Sequence, residues 1–333
     1  MKLPLLILGA LAAVIVHAQD AAALPGQTGN AMPANPALPT LWIIGDSTVR
    51  NGTGYGGANG QWGWGAPIVY EFDLTKINVV NRALGGTSSR TFYNSNWPGV
   101  VANVKKGDFV IMQFGHNDNN GDFTGVGGYR ASLNGIGDET QRVDNARSGQ
   151  KDTVHTFGWY LKQYVEETKA KGATPIICSL IPRKIWADGK IVRTNDNYFP
   201  YGKWAGQVAD AEKIGFVDLN EITARKYDAL GEAKVEPLFV PTPTEHTHTD
   251  WYGAIINAES VVSGLKALKD NPLAVYFSVT AKVLPTADAA AAPLEGTSTV
   301  QSAAAAAAAR AAATPAPVPA TPTATAAATT TAP

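Results

Sequence analysis

The sequence predicts an α/β domain built around a parallel sheet covered on both faces. Three features carry that reading: short continuous apolar runs, helical apolar repeats between them, and polar blocks rich in Gly, Ser, Asn and His placed after several runs. The first run, residues 41–44 (Leu-Trp-Ile-Ile), is stopped by Gly45 and reads as a buried strand. Residues 77–81, 108–114, 174–180 and 215–218 supply four more. Phe157, Leu161, Tyr164, Val165 and Thr168 fall on one face of a helix that Gly172 ends. A further crossover helix is expected over residues 199–214. The last helix spans 251–269, with Ile255, Ala258, Val261, Val262 and Leu265 along one side and Asp250 as its N-cap.

Composition narrows the function classes. The 333 residues carry 27 basic and 28 acidic side chains, a net charge of −1, which argues against a nucleic-acid binder that must neutralise phosphates. An apolar fraction of 45% is enough for a full core. The single cysteine, Cys178, excludes an intrachain disulfide and zinc sites built on several thiolates. It sits mid-strand and reads as a buried apolar side chain.

Both ends stand apart from the domain. Residues 1–18 have the form of a secretory signal peptide: Lys2, an apolar stretch, then Val16-His17-Ala18 as the cleavage site. The stretch is shorter than the ~20 residues of a spanning helix, so export outside the cytoplasm (secreted or periplasmic) without a membrane span is expected. Residues 19–39 read as a linker, residues 40–282 as one domain, and residues 283–333, rich in Ala, Thr and Pro, as a disordered tail.

In a parallel sheet of this kind the ligand lies at the carboxyl ends of the strands. Four polar blocks belong there: Gly45-Asp46-Ser47-Thr48 after the first run, residues 83–90 after the second, Gly115-His116-Asn117-Asp118 after the third, and Glu245-His246-Thr247-His248 before the last helix. Ester hydrolysis needs a nucleophile, a base and donors for the oxyanion. Ser47, at a strand-to-helix turn, offers its hydroxyl and its backbone N–H. Gly86 has no side chain to obstruct its N–H, and Asn117 brings a side-chain amide. An imidazole, with an ordinary pKa of ~6.5, suits the base, which is His248. Glu245 would hold its tautomer and stabilise the imidazolium.

These blocks, in this order, resemble the SGNH (GDSL) hydrolase superfamily. Residues 41–268 are similar to its rhamnogalacturonan acetylesterase family, through Gly-Asp-Ser-Thr, Gly86 within GGTSSRTF, GHND, and HTH followed by Tyr252-Gly253-Ala254. The resemblance implies a flavodoxin-like three-layer α/β/α fold on a five-stranded parallel sheet, no cofactor or metal, and removal of acetyl groups from pectic rhamnogalacturonan. Carried over by position, it makes Ser47 the nucleophile, His248 the base, and Ser47, Gly86 and Asn117 the oxyanion hole. The family's Asp three residues before the histidine is Glu245 here; Asp250 is the other candidate acid, although capping would occupy it.

Other readings stay open on the sequence alone. Glu245, His246, His248 and Asp250 alternate in a way that could hold a metal. An acetylesterase for another glycan such as xylan, a lipid-type esterase, or a non-catalytic glycan-binding relative would each keep the fold. Trp62 and Trp64, in GQWGWG, are candidates for stacking on sugar rings, as are Trp97, Trp186 and Trp251. Arg90 is the first candidate for a uronate carboxylate, followed by Arg183, Lys184, Lys190 and Arg193. Residues 119–154 exceed an ordinary connection, and either a substrate loop or a surface insertion would account for them. The chain is expected to act as a monomer on an acetylated polysaccharide.

Overall fold

Five strands align in parallel: β1 (Thr40–Gly45), β2 (Asn78–Asn81), β3 (Phe109–Gln113), β4 (Thr174–Cys178) and β5 (Gly215–Val217). Their order across the sheet is β2-β1-β3-β4-β5, the flavodoxin-like arrangement. Each strand coincides with an apolar run of the sequence. The computed structural model describes residues 32–287, except 53–59, 126, 146, 194–199 and 243. The expected signal peptide, most of the expected linker, the tail from residue 288 and the expected helix start at Phe199 lie outside the described residues.

Continuous apolar strands feed two cores because alternate side chains point to opposite faces. On one face Trp42, Ile44, Val110, Met112 and Ile177 pack beneath α1 (Ser89–Ser95), α2 (Trp97–Val101), α3 (Phe157–Ala170) and α4 (Tyr201–Glu212). On the other, Leu41, Ile43, Ile111, Ile176 and Val217 pack against α5 (Leu219–Leu230) and α6 (Trp251–Ala267). Three layers result. Helix starts follow their caps: Thr156 accepts from Trp159 N–H, Asp218 from Glu221 N–H, and Asp250 from Gly253 N–H. The last helix is buried beyond the single apolar side read from its sequence, with Asn257, Ser260 and Ser263 also interior. Ser260 and Ser263 are accommodated by donating to the carbonyls of Ile256 and Glu259 one turn back.

Residues flanking 40–282 are tied into the domain. Asn35 and Asn78 exchange two hydrogen bonds of 2.9 and 2.8 Å, and Ala287 N–H reaches the Ser263 carbonyl at 2.9 Å. The long segment after β3 carries a 3₁₀ turn, Gly128–Arg130, and an antiparallel hairpin of Thr140–Asp144 with Lys151–His155. Among the described residues, no helix is long and apolar enough to cross a membrane.

Candidate active site

The topology turns outward on either side of β1, so the crevice between the ends of β1 and β3 is where a ligand site is expected. Ser47 follows β1 and Asn117 follows β3. The turn carrying Ser47 is built by its neighbours. Asp46 Oδ1 accepts from the backbone N–H and the hydroxyl of Thr48, both at 2.8 Å, and the Asp46 carbonyl accepts from Arg50 N–H at 3.0 Å. Gly45 has to be glycine here: a Cβ would lie 2.6 Å from both the Gln113 carbonyl oxygen and Val49 Cγ2. Beneath the turn a buried polar chain continues, Gln113 Nε2 donating to Thr48 Oγ1 at 2.6 Å and Trp64 Nε1 to Gln113 Oε1 at 2.8 Å. Trp64, Gln113 and Thr48 each donate to the next acceptor in it, which fixes the turn to β3.

Opposite Ser47, the segment 246–250 is held by three others. His248 O accepts from Val240 N–H, Thr249 O from Trp62 N–H, and His246 O from Lys184 N–H. This places His248 Nε2 2.9 Å from Ser47 Oγ. On the other side of the ring, Nδ1 lies 2.8 Å from Glu245 Oε2. A carboxylate can only accept, so Nδ1 carries the proton, Nε2 presents its lone pair, and the Ser47 hydroxyl donates to it. Glu245 Oε1 is occupied as well, accepting from Thr247 N–H at 2.7 Å and His248 N–H at 2.9 Å. The extra methylene of Glu lets the side chain curl back over its own turn and meet all three donors. Burial pushes the Glu245 carboxyl up, but the bonds from His248 and Thr247 and the His248 charge outweigh it and hold it at about 2.

Asp46 is fully buried, and desolvation raises it to about 6 against the opposing pull of Thr48, His248 and Arg183. His116 is driven well below its usual range by burial and by the charges of Arg183, His248 and His246, so it stays neutral beside the site.

Of the expected oxyanion donors, Gly86 adopts φ +78°, a left-handed backbone that favours glycine, just before Ser88 caps α1. Asn117 Nδ2 donates to the Thr87 carbonyl at 3.1 Å, on the same loop as Gly86. Its Oδ1 accepts from Arg130 Nη1 at 3.1 Å. Arg130 belongs to the insertion and was not among the residues singled out from the sequence. No local spacing marks it; the only sequence signal was the unusual length of the segment that carries it.

Two expected substrate contacts are corrected by the structure. Trp64 is 0% exposed and belongs to the core and to the buried chain through Gln113, so it offers no surface to a sugar. Arg90 is 2% exposed; its Nη2 donates to the Tyr129 carbonyl and its Nη1 lies 3.8 Å from Asp152, so it tethers the insertion to α1 instead. Trp62 remains half-buried, edge-on to Trp251 with ring centroids 4.7 Å apart, beside the His248 segment. Trp97 is interior and donates to Glu167. Lys184 and Arg193 are paired with Glu236 and with Glu221 and Asp228, while Arg183 bonds His246 Nε2 at 3.0 Å. Of the four side chains whose spacing suggested a metal site, His246 bonds Arg183, His248 lies between Ser47 and Glu245, and Asp250 accepts from Gly253 N–H; among the described residues no three such side chains are grouped to hold an ion.

A flavodoxin-like sheet with a hydroxyl, an imidazole and a carboxylate in series at its switch point defines a class, the carboxylic ester hydrolases of the SGNH type. Residues 43–239, more than half of the chain, match the GDSL-like lipase/acylhydrolase family, and the chain belongs to that family. It is 30% identical over 227 residues to the rhamnogalacturonan acetylesterase of Emericella nidulans, an alignment spanning 68% of this chain and 84% of that protein. Over 231 residues it is 29% identical to a Bacillus subtilis protein described as probable rhamnogalacturonan acetylesterase YesY, covering 68% of this chain and 93% of that one. Among solved structures, the B. subtilis protein YxiM superposes with a TM-score of 0.54 at 24% identity, over 69% of this chain and 56% of that chain. The last likeness is one of fold.

Proposed function

We propose that this ester hydrolase is a secreted acetylesterase acting on a pectic polysaccharide, rhamnogalacturonan, through an acyl-enzyme on Ser47. The observation that carries the reading is the continuous series Ser47 Oγ–His248 Nε2 at 2.9 Å and His248 Nδ1–Glu245 Oε2 at 2.8 Å. The names of the two acetylesterase relatives above support the acetyl group and the polymer.

In this mechanism Ser47 Oγ attacks the acetyl carbonyl carbon as its proton passes to His248 Nε2. Glu245, ionised at working pH, stabilises the imidazolium and keeps Nδ1 protonated. Negative charge gathers on the former carbonyl oxygen, where the Ser47 and Gly86 amides and the second N–H of Asn117 are the donors. The tetrahedral centre collapses, the C–O bond to the sugar breaks, and His248 returns the proton to the departing sugar oxygen. Water then repeats both steps on the acyl-enzyme, releasing acetate and restoring Ser47. Trp62, edge-on to Trp251, is the surface proposed for a sugar ring, and the guanidinium group of Arg183, bonded to the imidazole of His246, suits an acidic polymer.

Acetate release from acetylated pectin, acetylated xylan and an aryl acetate, by wild type and Ser47→Ala side by side, tests this. Pectin is expected to be the best polymer substrate, and Ser47→Ala to lose at least about 10⁴-fold in kcat on every ester with its Tm little changed. Equal release by the two proteins would remove Ser47 from the chemistry, and a preference for xylan would remove the pectic assignment alone.

A further inference from the structure

The insertion of residues 119–154 has no role in the mechanism above, yet it delivers one side chain to it. Arg130 Nη1 donates to Asn117 Oδ1 at 3.1 Å, and a methyl group placed on Gly86 would stand 3.9 Å from the same nitrogen. The guanidinium therefore lies beside two of the three proposed oxyanion donors. We infer that Arg130 is a positioning residue: it locks the amide of Asn117 so that its free N–H faces the developing oxyanion. This rests on the assignment of Asn117 to the oxyanion hole.

The argument is one of donors and acceptors. Arginine only donates, so the atom of Asn117 facing it must be the oxygen. The Thr87 carbonyl only accepts, so the atom facing it, at 3.1 Å, must be the nitrogen. One amide hydrogen is used there and the other is left for the substrate. Both ends of the amide are thus specified, one by the loop of Gly86 and one by the insertion. Without Arg130 a single contact remains, and an Asn held on one side can rotate to present its oxygen, which would repel an oxyanion instead of stabilising it.

Arg130 is itself held in place by a buried knot. Asp118, the residue after Asn117, is 0% exposed and accepts from the backbone N–H and hydroxyl of Ser89 at the start of α1 and from the hydroxyl of Ser132 at 2.9 Å. Ser132 N–H donates to the Asp118 carbonyl at 3.1 Å. Arg90, the neighbour of Ser89, grips the carbonyl of Tyr129. The residues immediately before and two after Arg130 are therefore fixed to the same strand end and helix that carry Asn117 and follow Gly86. On this account the insertion is neither lid nor decoration but the outer support of the oxyanion site.

A double-mutant cycle on an uncharged aryl acetate tests it, since a neutral ester removes any attraction between Arg130 and a substrate carboxylate. Asn117→Ala is expected to lower kcat about 100- to 1000-fold, as loss of one donor does. Arg130→Ala is expected to lower kcat at least about tenfold with KM changed less than about twofold, and to add no more than about threefold in the Asn117→Ala background. Arg130→Lys, which keeps a donor, should recover part of the loss. Additive losses in the double variant, or an Arg130→Ala effect confined to KM, overturn the positioning role while leaving Asn117 in the oxyanion hole. An inert Asn117→Ala overturns the oxyanion assignment itself, and this inference with it. Tm is recorded for each variant; should Arg130→Ala lose the fold, Arg130→Met, which keeps an extended side chain but has no donor and no charge, enters the same cycle under the same criteria.

Discussion

Glu245→Gln is the most incisive perturbation of the proposed triad, because it keeps shape and removes only charge and acceptor capacity. The wild-type carboxylate meets three donors: Thr247 N–H at 2.7 Å, His248 N–H at 2.9 Å and His248 Nδ1–H at 2.8 Å. An amide has one acceptor oxygen. If that oxygen stays on the two backbone N–H groups, its NH₂ faces Nδ1 and forces the proton onto Nε2, where the ring can no longer take the Ser47 proton. If the amide turns over, two backbone donors lose their acceptor, at ~1–3 kcal/mol each. The charge matters separately. At the observed 2.8 Å separation, an imidazolium and a carboxylate in a medium of effective dielectric ~20 attract by about 6 kcal/mol, which bounds the loss near 10⁴-fold. A wrong tautomer in an unrelated serine protease costs a similar ~10⁴-fold. The expected result is a fall in kcat of about 10³- to 10⁴-fold on an aryl acetate, KM within about threefold, and a Tm loss of a few degrees. Asp250→Asn, which touches the N-cap of α6 rather than the ring, should leave kcat within about twofold. A Glu245→Gln enzyme within about tenfold of wild type, with Asp250→Asn the damaging change, would refute the assignment of the acid.

Two further outcomes are expected. Trp62→Ala should raise KM for acetylated oligosaccharides several-fold while leaving aryl acetate kinetics unchanged, since the half-buried ring packs edge-on against Trp251 and has no place in the proposed bond-making steps; equal effects on both substrates would make Trp62 a structural residue. Burial lifts Asp46, Asp118 and Asp250 from 3.8 to about 6, so the folded state binds their protons more tightly than the unfolded chain does. The stability from that source is full below about 3.8 and is lost as pH rises through about 6, so Tm should climb on acidifying from pH 7 to 5. Glu245, held at about 2, works the other way, its contribution present above 4.5 and lost towards pH 2. Asp118→Asn should flatten the climb between pH 7 and 5 in thermal melts, and an unchanged slope would mean that Asp118 does not titrate there.

What the sequence made legible was everything placed by the backbone. The five strands announce themselves as apolar runs because both faces of the sheet are covered, so inward and outward positions alike must be apolar. Ser47, Gly86 and Asn117 are fixed by following β1, β2 and β3, and His248 by preceding α6, so chain position alone brought them to one end of the sheet. Glu245 and Asp250 both stay open as the acid on sequence, because the choice turns on where one extra methylene goes, and the curl that brings Glu245 to Thr247 N–H, His248 N–H and His248 Nδ1 leaves no local signal. Trp64 and Arg90 were misplaced for a related reason. In GQWGWG the two indoles lie two residues apart in a glycine-rich turn, and nothing local says that Trp64 will find Gln113, 49 residues on, as its acceptor. Arg90 looks like a surface charge beside Gly86 until Tyr129 and Asp152 close over it.

That division has a functional consequence. Side chains placed by strand ends tolerate variation in the loops around them, whereas Arg130 depends on the insertion that Arg90 and Asp118 tie down through Tyr129 and Ser132. Arg90 and Asp118 are buried charges, so breaking either partner leaves an uncompensated group whose cost falls on the loop and not on the sheet. Changes in residues 119–154 should therefore reach the chemistry by loosening Asn117, lowering kcat on every ester, while the sheet and the Ser47–His248–Glu245 series stay intact. A loop that instead recognised polymer would alter KM for long substrates and spare small esters, and the same pair of substrates tells the two apart.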